Sequence, residues 1–165
     1  MKIITPSSFY DSVKNYHLLL DCSFFIDSAI YSKEFKKLVK KLKENNNTFV
    51  TIDVIKAEFT VGTQNKGSLD SKNKLIDQIV DYVLPTPPDI FNKHLHSLIE
   101  TYGPKGKGLS IADLILGSSL QRYSDILLLT KNPKDFPKPL TKLNTYFLMD
   151  LDKGLQTYAL LEKNN

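Results

Sequence analysis

The chain has 165 residues, 41% of them hydrophobic and 24% charged, with a formal net charge of +4. That profile suits one globular domain able to bury a core. The sequence pI near 9.0 permits a polyanionic partner without requiring one. One cysteine, Cys22, excludes an internal disulfide, and three histidines leave little from which to build a zinc site. No window approaches the roughly 18 consecutive apolar residues of a membrane span, and MKIITPSSFYDSV lacks the apolar core of a signal peptide. The expectation is a cytoplasmic protein with no membrane partner.

In chain order, His17 to Leu20 reads as a short buried strand that ends at Asp21. From Phe35, apolar residues recur at Leu38, Val39 and Leu42, the stripe of an amphipathic helix. Its other face carries Lys36, Lys37, Lys40, Lys41 and Lys43, and Asn45 to Asn47 mark its end. Thr48 to Ile52 is a β-branched and aromatic run, a second strand. Asp53 is placed to N-cap a helix through Val54, Ile55, Glu58 and Phe59.

A further helical pattern takes in Leu75, Ile76, Ile79, Val80 and Val83, with Pro85, Pro87 and Pro88 to stop it. Ile90 to Tyr102 is again helical, with Phe91, Leu95, Leu98 and Ile99 facing inward. After a Gly/Lys loop at residues 103–108, Ser110 opens an apolar helix through Leu120. Ile126 to Leu129 is a third strand and Tyr146 to Met149 a fourth. Strands alternating with helices predict a three-layer α/β/α fold with a mainly parallel central sheet. No repeat or linker divides the chain, so residues 1–165 read as one domain. Its core spans about 17–150, with N- and C-terminal extensions. In such folds ligands gather at the carboxyl ends of the strands, near a switch in strand order.

Three acids sit in apolar company. Asp21 follows Leu18-Leu19-Leu20, Glu58 lies among Ile55, Ala57, Phe59 and Val61, and Asp113 lies inside Ile111-Ala112-Asp113-Leu114-Ile115. An unpaired buried carboxylate costs several kcal/mol, and few basic residues are nearby in sequence: Lys56 adjoins Glu58 alone. A shared hard cation such as Mg²⁺ or Mn²⁺ would answer all three. Each acid also has a structural explanation. Asp21 could cap or turn the chain at a strand end. Glu58 could be an ordinary position on a helix surface, and Asp113 stands at the capping-box spacing from Ser110.

These residues resemble the PIN-domain ribonucleases, including the VapC-like toxins of toxin–antitoxin pairs. Leu18-Leu19-Leu20-Asp21-Cys22-Ser23 is similar to the family's opening strand, with its Asp and a small polar residue two positions on. The helix with Glu58 resembles the second acidic position, and Leu109 to Leu116, with Asp113, the third. The run from Leu127 through Thr130, Lys131, Asn132 and Asp135 to Phe136 is the most specific match.

The resemblance implies a metal-dependent endoribonuclease that hydrolyses RNA phosphodiester bonds, with Asp21, Glu58 and Asp113 as catalytic, metal-holding acids. Ser23 and Thr130 would support the site. Asn132 falls where many members carry a fourth acid, and Asp135 offers either replacement charge or a surface turn. If the chain is a toxin, the family implies an antitoxin partner and a homodimer. The alternative is a catalytically weak or inactive PIN-like module that binds RNA or protein, which the neutral Asn132 favours.

Lys105, Lys107 and Lys131 are candidates for contact with the RNA backbone. Gly103 to Ser110 lacks the Gly-Lys-Ser/Thr of a phosphate loop. His94 and His96, two apart, do not share a helix face. Cys22, with no base beside it, reads as a small core residue.

Overall fold

The computed structural model describes residues 1–86, 94–102, 110–152 and 154–164. Three strands expected from the sequence are in place: β2 (His17–Leu20), β3 (Thr48–Ile52) and β5 (Ile126–Thr130). They share a sheet with β1 (Lys2–Ile4), β4 (Tyr82–Leu84), β6 (Thr141–Leu151) and β7 (Gly154–Lys163), in the order β1-β6-β7-β5-β2-β3-β4. Leu18, Leu19 and Leu20 point alternately to opposite faces, yet all three are 0% exposed. Both faces of the centre are therefore covered.

The helices are α1 (Phe9–Val13), α2 (Cys22–Ile30), α3 (Ser32–Glu44), α4 (Asp53–Thr60) and α5 (Lys66–Ile79). Two more described helices follow, α6 (His94–Tyr102) and α7 (Ile111–Arg122). Among the described residues, no helix is long and apolar enough to cross a membrane.

The expectation of a mainly parallel sheet is corrected: the sheet is mixed. The pairings β5–β2, β2–β3 and β3–β4 are parallel, whereas β1–β6, β6–β7 and β7–β5 are antiparallel. The cause is a long hairpin. β6 and β7 pair from Thr141↔Lys163 to Leu151↔Gly154, with one irregularity between Leu143 and Thr145. The expected fourth strand, Tyr146 to Met149, is only the middle of β6. The expected core boundary near residue 150 also falls short, because β7 is an interior strand between β6 and β5.

Other boundaries moved for identifiable reasons. The helical pattern expected to reach Val83 stops at Ile79. Asp81 holds the chain to β3 instead: its N–H donates to the Phe49 carbonyl (2.8 Å), and its Oδ2 accepts from the Phe49 N–H (2.9 Å). Val83 then lies in β4, a strand, where a β-branched side chain fits well. Asp53 is the first residue of α4 rather than its cap, a position Ile52 takes. In α6, Leu98 is buried as expected but Ile99 is 44% exposed. Residues 90–93 and the Gly/Lys loop, including Lys105 and Lys107, lie outside the described residues.

The core on the α2–α3 side is aromatic. Tyr158 of β7 stacks on Phe147 of β6 at 4.8 Å, and Phe24 and Phe35 meet the Tyr158 ring edge-on, each at 6.2 Å. Contacts of this kind add about 0.5–1.5 kcal/mol each beyond area burial.

Candidate active site

Parallel β5, β2 and β3 end on the same edge of the sheet. β2 is followed by β3 on one side and pairs with β5 on the other, so the strand order reverses between β2 and β5. Asp21 directly follows β2, and Thr130 is the last residue of β5. α4 starts at the carboxyl end of β3. α7 leads back to the start of β5, so its N-terminus, with Asp113, lies toward the same edge.

Asp21 occupies the N-cap position of α2, but its side chain makes no cap bond. Its Oδ2 accepts instead from the Thr130 hydroxyl at 2.6 Å and the Ser23 hydroxyl at 3.0 Å. Among the described residues, nothing donates to its other oxygen, Oδ1. Thr130 is fully buried, and its Oγ1 also accepts the Asn132 N–H at 3.0 Å. One hydroxyl thus fixes the carboxylate and turns the chain out of β5.

Asp113 has the capping geometry its spacing predicts. Ser110 Oγ accepts the Asp113 N–H at 3.0 Å and donates to Asp113 Oδ2 at 2.6 Å. The capping explanation for Asp113 is therefore correct as far as it goes. It does not account for the electrostatics. Partial burial pushes the Asp113 carboxyl above the usual range, the Ser110 hydrogen bond opposes this, and Asp135 and Asp21 raise it further. Glu58, exposed on α4, is also raised, by desolvation first and then by Asp21 and Asp113.

Asp21, Glu58 and Asp113, from three separate segments, therefore share one negative field, to which Asp135 contributes from the short 3-10 turn Pro133–Asp135. Among the described lysines, those that form ion pairs, Lys40, Lys43, Lys56, Lys131 and Lys142, all pair with other acids.

The donor set suits a hard divalent cation in its chemistry: oxygen ligands only, with carboxylates that repel one another until a cation joins them. Among the described residues, no three His, Cys, Asp or Glu side chains close into a ready-made metal cage. Coulombic effects reach farther than ligation does, so the rises at Glu58 and Asp113 do not require the acids to converge on one point. Mg²⁺ characteristically keeps several waters and binds through one or two carboxylates. The residues fit an ion of that kind better than a fully protein-ligated one.

Cys22 beside the site is buried. Burial first, and then Glu58 and Asp21, push its thiol up to about 12, with Lys72 opposing. Asn132 is exposed at the start of the 3-10 turn. Lys131, grouped on sequence with the lysines facing RNA, has its ammonium turned inward, 2.8 Å from Asp27 Oδ2. Of the lysines on α3, Lys43 pairs with Asp81 at 2.7 Å and Lys41 lies over the Tyr10 ring at 4.1 Å.

Sequence reasoning missed Asp27 and Tyr158. The Tyr158 hydroxyl donates to Asp27 Oδ2 at 2.6 Å, with the Ser23 carbonyl 3.0 Å away. Nothing local marks either residue, because they are far apart in the chain and meet only once β7 is in the sheet.

Fold and site define an α/β protein with a mixed sheet and an acidic edge at the reversal of strand order. A chain of VapBC2 from Rickettsia felis, crystallised bound to a DNA fragment from their promoter, is similar in structure. Its TM-score is 0.61 at 17% identity, over 72% of this chain and 90% of that one. At that identity the likeness shows a shared fold. No family model matches the chain, and no curated protein matches it.

Proposed function

We propose that the chain is a PIN-like endoribonuclease dependent on Mg²⁺ or Mn²⁺, with Asp21, Glu58 and Asp113 as its metal-holding and catalytic acids. The observation that carries this reading is the placement of Asp21 at the carboxyl end of β2, held by the Thr130 and Ser23 hydroxyls, where it and Asp113 both raise the Glu58 carboxyl. Such perturbed groups at the carboxyl edge of a sheet are characteristic of functional sites.

A bound divalent ion supplies a water of lowered pKa and screens the scissile phosphate. The chain's own residues do the rest. Asp21 is fixed through Oδ2 by Ser23 and Thr130, which leaves Oδ1 for the ion. Asp113 is held by Ser110 in one orientation. Glu58, exposed and raised in pKa, would be the group to accept a proton from an attacking water.

The likeness to a VapBC2 chain supports a toxin of a toxin–antitoxin pair, with an antitoxin partner, as the biological setting. A homodimer and a cytoplasmic location belong to the same proposal. A second reading, an RNA- or protein-binding module without cleavage, is favoured by exposed, neutral Asn132.

The test incubates the protein and its Asp21→Ala/Asp113→Ala variant with structured and single-stranded RNAs in Mn²⁺, Mg²⁺ or EDTA. Cleavage that needs the metal and disappears in the variant is the expected result. Folded, metal-binding protein that cuts no RNA would replace the nuclease reading with the binding module.

A further inference from the structure

A partly buried ionic cluster lies just behind the acidic edge. Asp27 is 4% exposed, and its Oδ2 meets both the Tyr158 hydroxyl and the Lys131 ammonium, at 2.6 and 2.8 Å. The Lys131 ammonium also lies 3.5 Å from Gln156 Oε1 of β7. The Tyr158 ring is already packed by Phe24, Phe35 and Phe147. Packing therefore does not require its hydroxyl. Nor is burying Asp27 against a half-buried Lys131 an economical way to gain stability, since apolar residues of similar volume serve as well or better.

What the cluster touches explains it better. The Tyr158 hydroxyl reaches the carbonyl of Ser23, and Lys131 directly follows Thr130. Ser23 and Thr130 are the two residues whose hydroxyls hold Asp21. We propose that Asp27, Tyr158 and Lys131 are positioning residues, a clamp that fixes both hydroxyl donors on Asp21 and thereby orients its free oxygen.

Tyr158 and Gln156 on β7, Ser23 and Asp27 on α2 and Thr130 and Lys131 at the end of β5 become one rigid unit through the clamp. None of the three clamp residues need touch substrate. The inference rests on the reading of Asp21 as a metal ligand, and its test separates the two.

The protein is compared with Tyr158→Phe, Lys131→Met and Lys131→Arg. Tyr158→Phe keeps the packed ring and so remains folded even if Lys131→Met, which strands a buried acid, does not. Two quantities are measured: Mn²⁺ affinity by calorimetry, and amide hydrogen exchange in metal-free protein. The Asn132 N–H reports the Thr130 hydroxyl directly, and the Leu42 N–H in α3 is the remote control.

Tyr158→Phe and Lys131→Met are expected to weaken Mn²⁺ binding roughly tenfold, the lower end for groups that orient metal ligands. They should speed exchange at Asn132 but not at Leu42, and Lys131→Arg should restore both quantities. Unchanged Mn²⁺ affinity in folded Tyr158→Phe overturns the clamp, as does an equal rise in exchange at Asn132 and Leu42. If the wild type binds no Mn²⁺, the metal reading fails and exchange alone decides. Selective loosening of Asn132 then upholds the clamp, and unchanged exchange there removes it.

Discussion

Thr130 carries two hydrogen bonds through one fully buried oxygen, donating to Asp21 and accepting from Asn132. Thr130→Val keeps the shape and removes both. A hydrogen bond to a charged group contributes about 1.5–3 kcal/mol, so urea denaturation should register a loss of about that size. Thr130→Ser, which retains the hydroxyl, should lose less.

Glu58 and Asp113 act in the opposite sense. Both carboxyls are raised in the folded protein, so the native state binds more protons than the unfolded chain between the ordinary and the raised pKa. Their contribution to stability is therefore fully present below the ordinary carboxylate range and is lost as pH rises through the raised values. Metal-free Asp113→Asn, which keeps an acceptor for Ser110, should be more stable than wild type at pH 7 but not at pH 4. Thermal melts in EDTA at the two pH values check this. Lower stability of the variant at pH 7 would mean that Asp113 contributes more as a cap than it costs as a charge.

At the scale of elements, α6 and α7 meet over Gly117. A Cβ built there would lie 3.0 Å from Leu98 Cδ1 and 3.5 Å from Phe136 Cδ1. Gly117→Val adds three carbons to that contact and should destabilise by about 1–3 kcal/mol through overpacking. A denaturation midpoint equal to wild type would show that Leu98 can move aside.

The elements legible in the sequence were those whose surroundings are uniform along their length. β2 and β5 are buried throughout apart from His17, and their leucine runs say so. β7 is different. Its first four residues are exposed, the next four are buried and the last two are half-buried, so GLQTYALLEK shows neither a clean alternation nor a continuous apolar run. β6 was read only in part because its irregularity between Leu143 and Thr145 breaks the two-residue period.

The site divides in the same way. Asp21, Ser23 and Thr130 follow from short motifs at strand ends, and the structure joins them by hydrogen bonds. Asp27 looks like any acid on a helix until β7 brings Tyr158 against it.

Over the whole molecule, an ion that binds the native state and not the unfolded chain must stabilise it by mass action. At a hundredfold excess over the dissociation constant the gain is about 2.7 kcal/mol. For a chain of this size that corresponds to roughly 5–10 °C in melting temperature. Mn²⁺ should produce such a shift in the wild type, and Asp21→Ala should abolish it. An equal shift in Asp21→Ala would place the ion elsewhere.

The position of β7 also bears on when during synthesis the site can exist. On the ribosome, Asp21, Asp113 and Thr130 are all made before Tyr158. Until residues 154–163 emerge, β5 has an unpaired edge, β6 has no partner on that side, and Asp27 lacks its tyrosine. A nascent chain therefore carries its acids without the brace behind them, and the edge stays unassembled until translation has passed well beyond them.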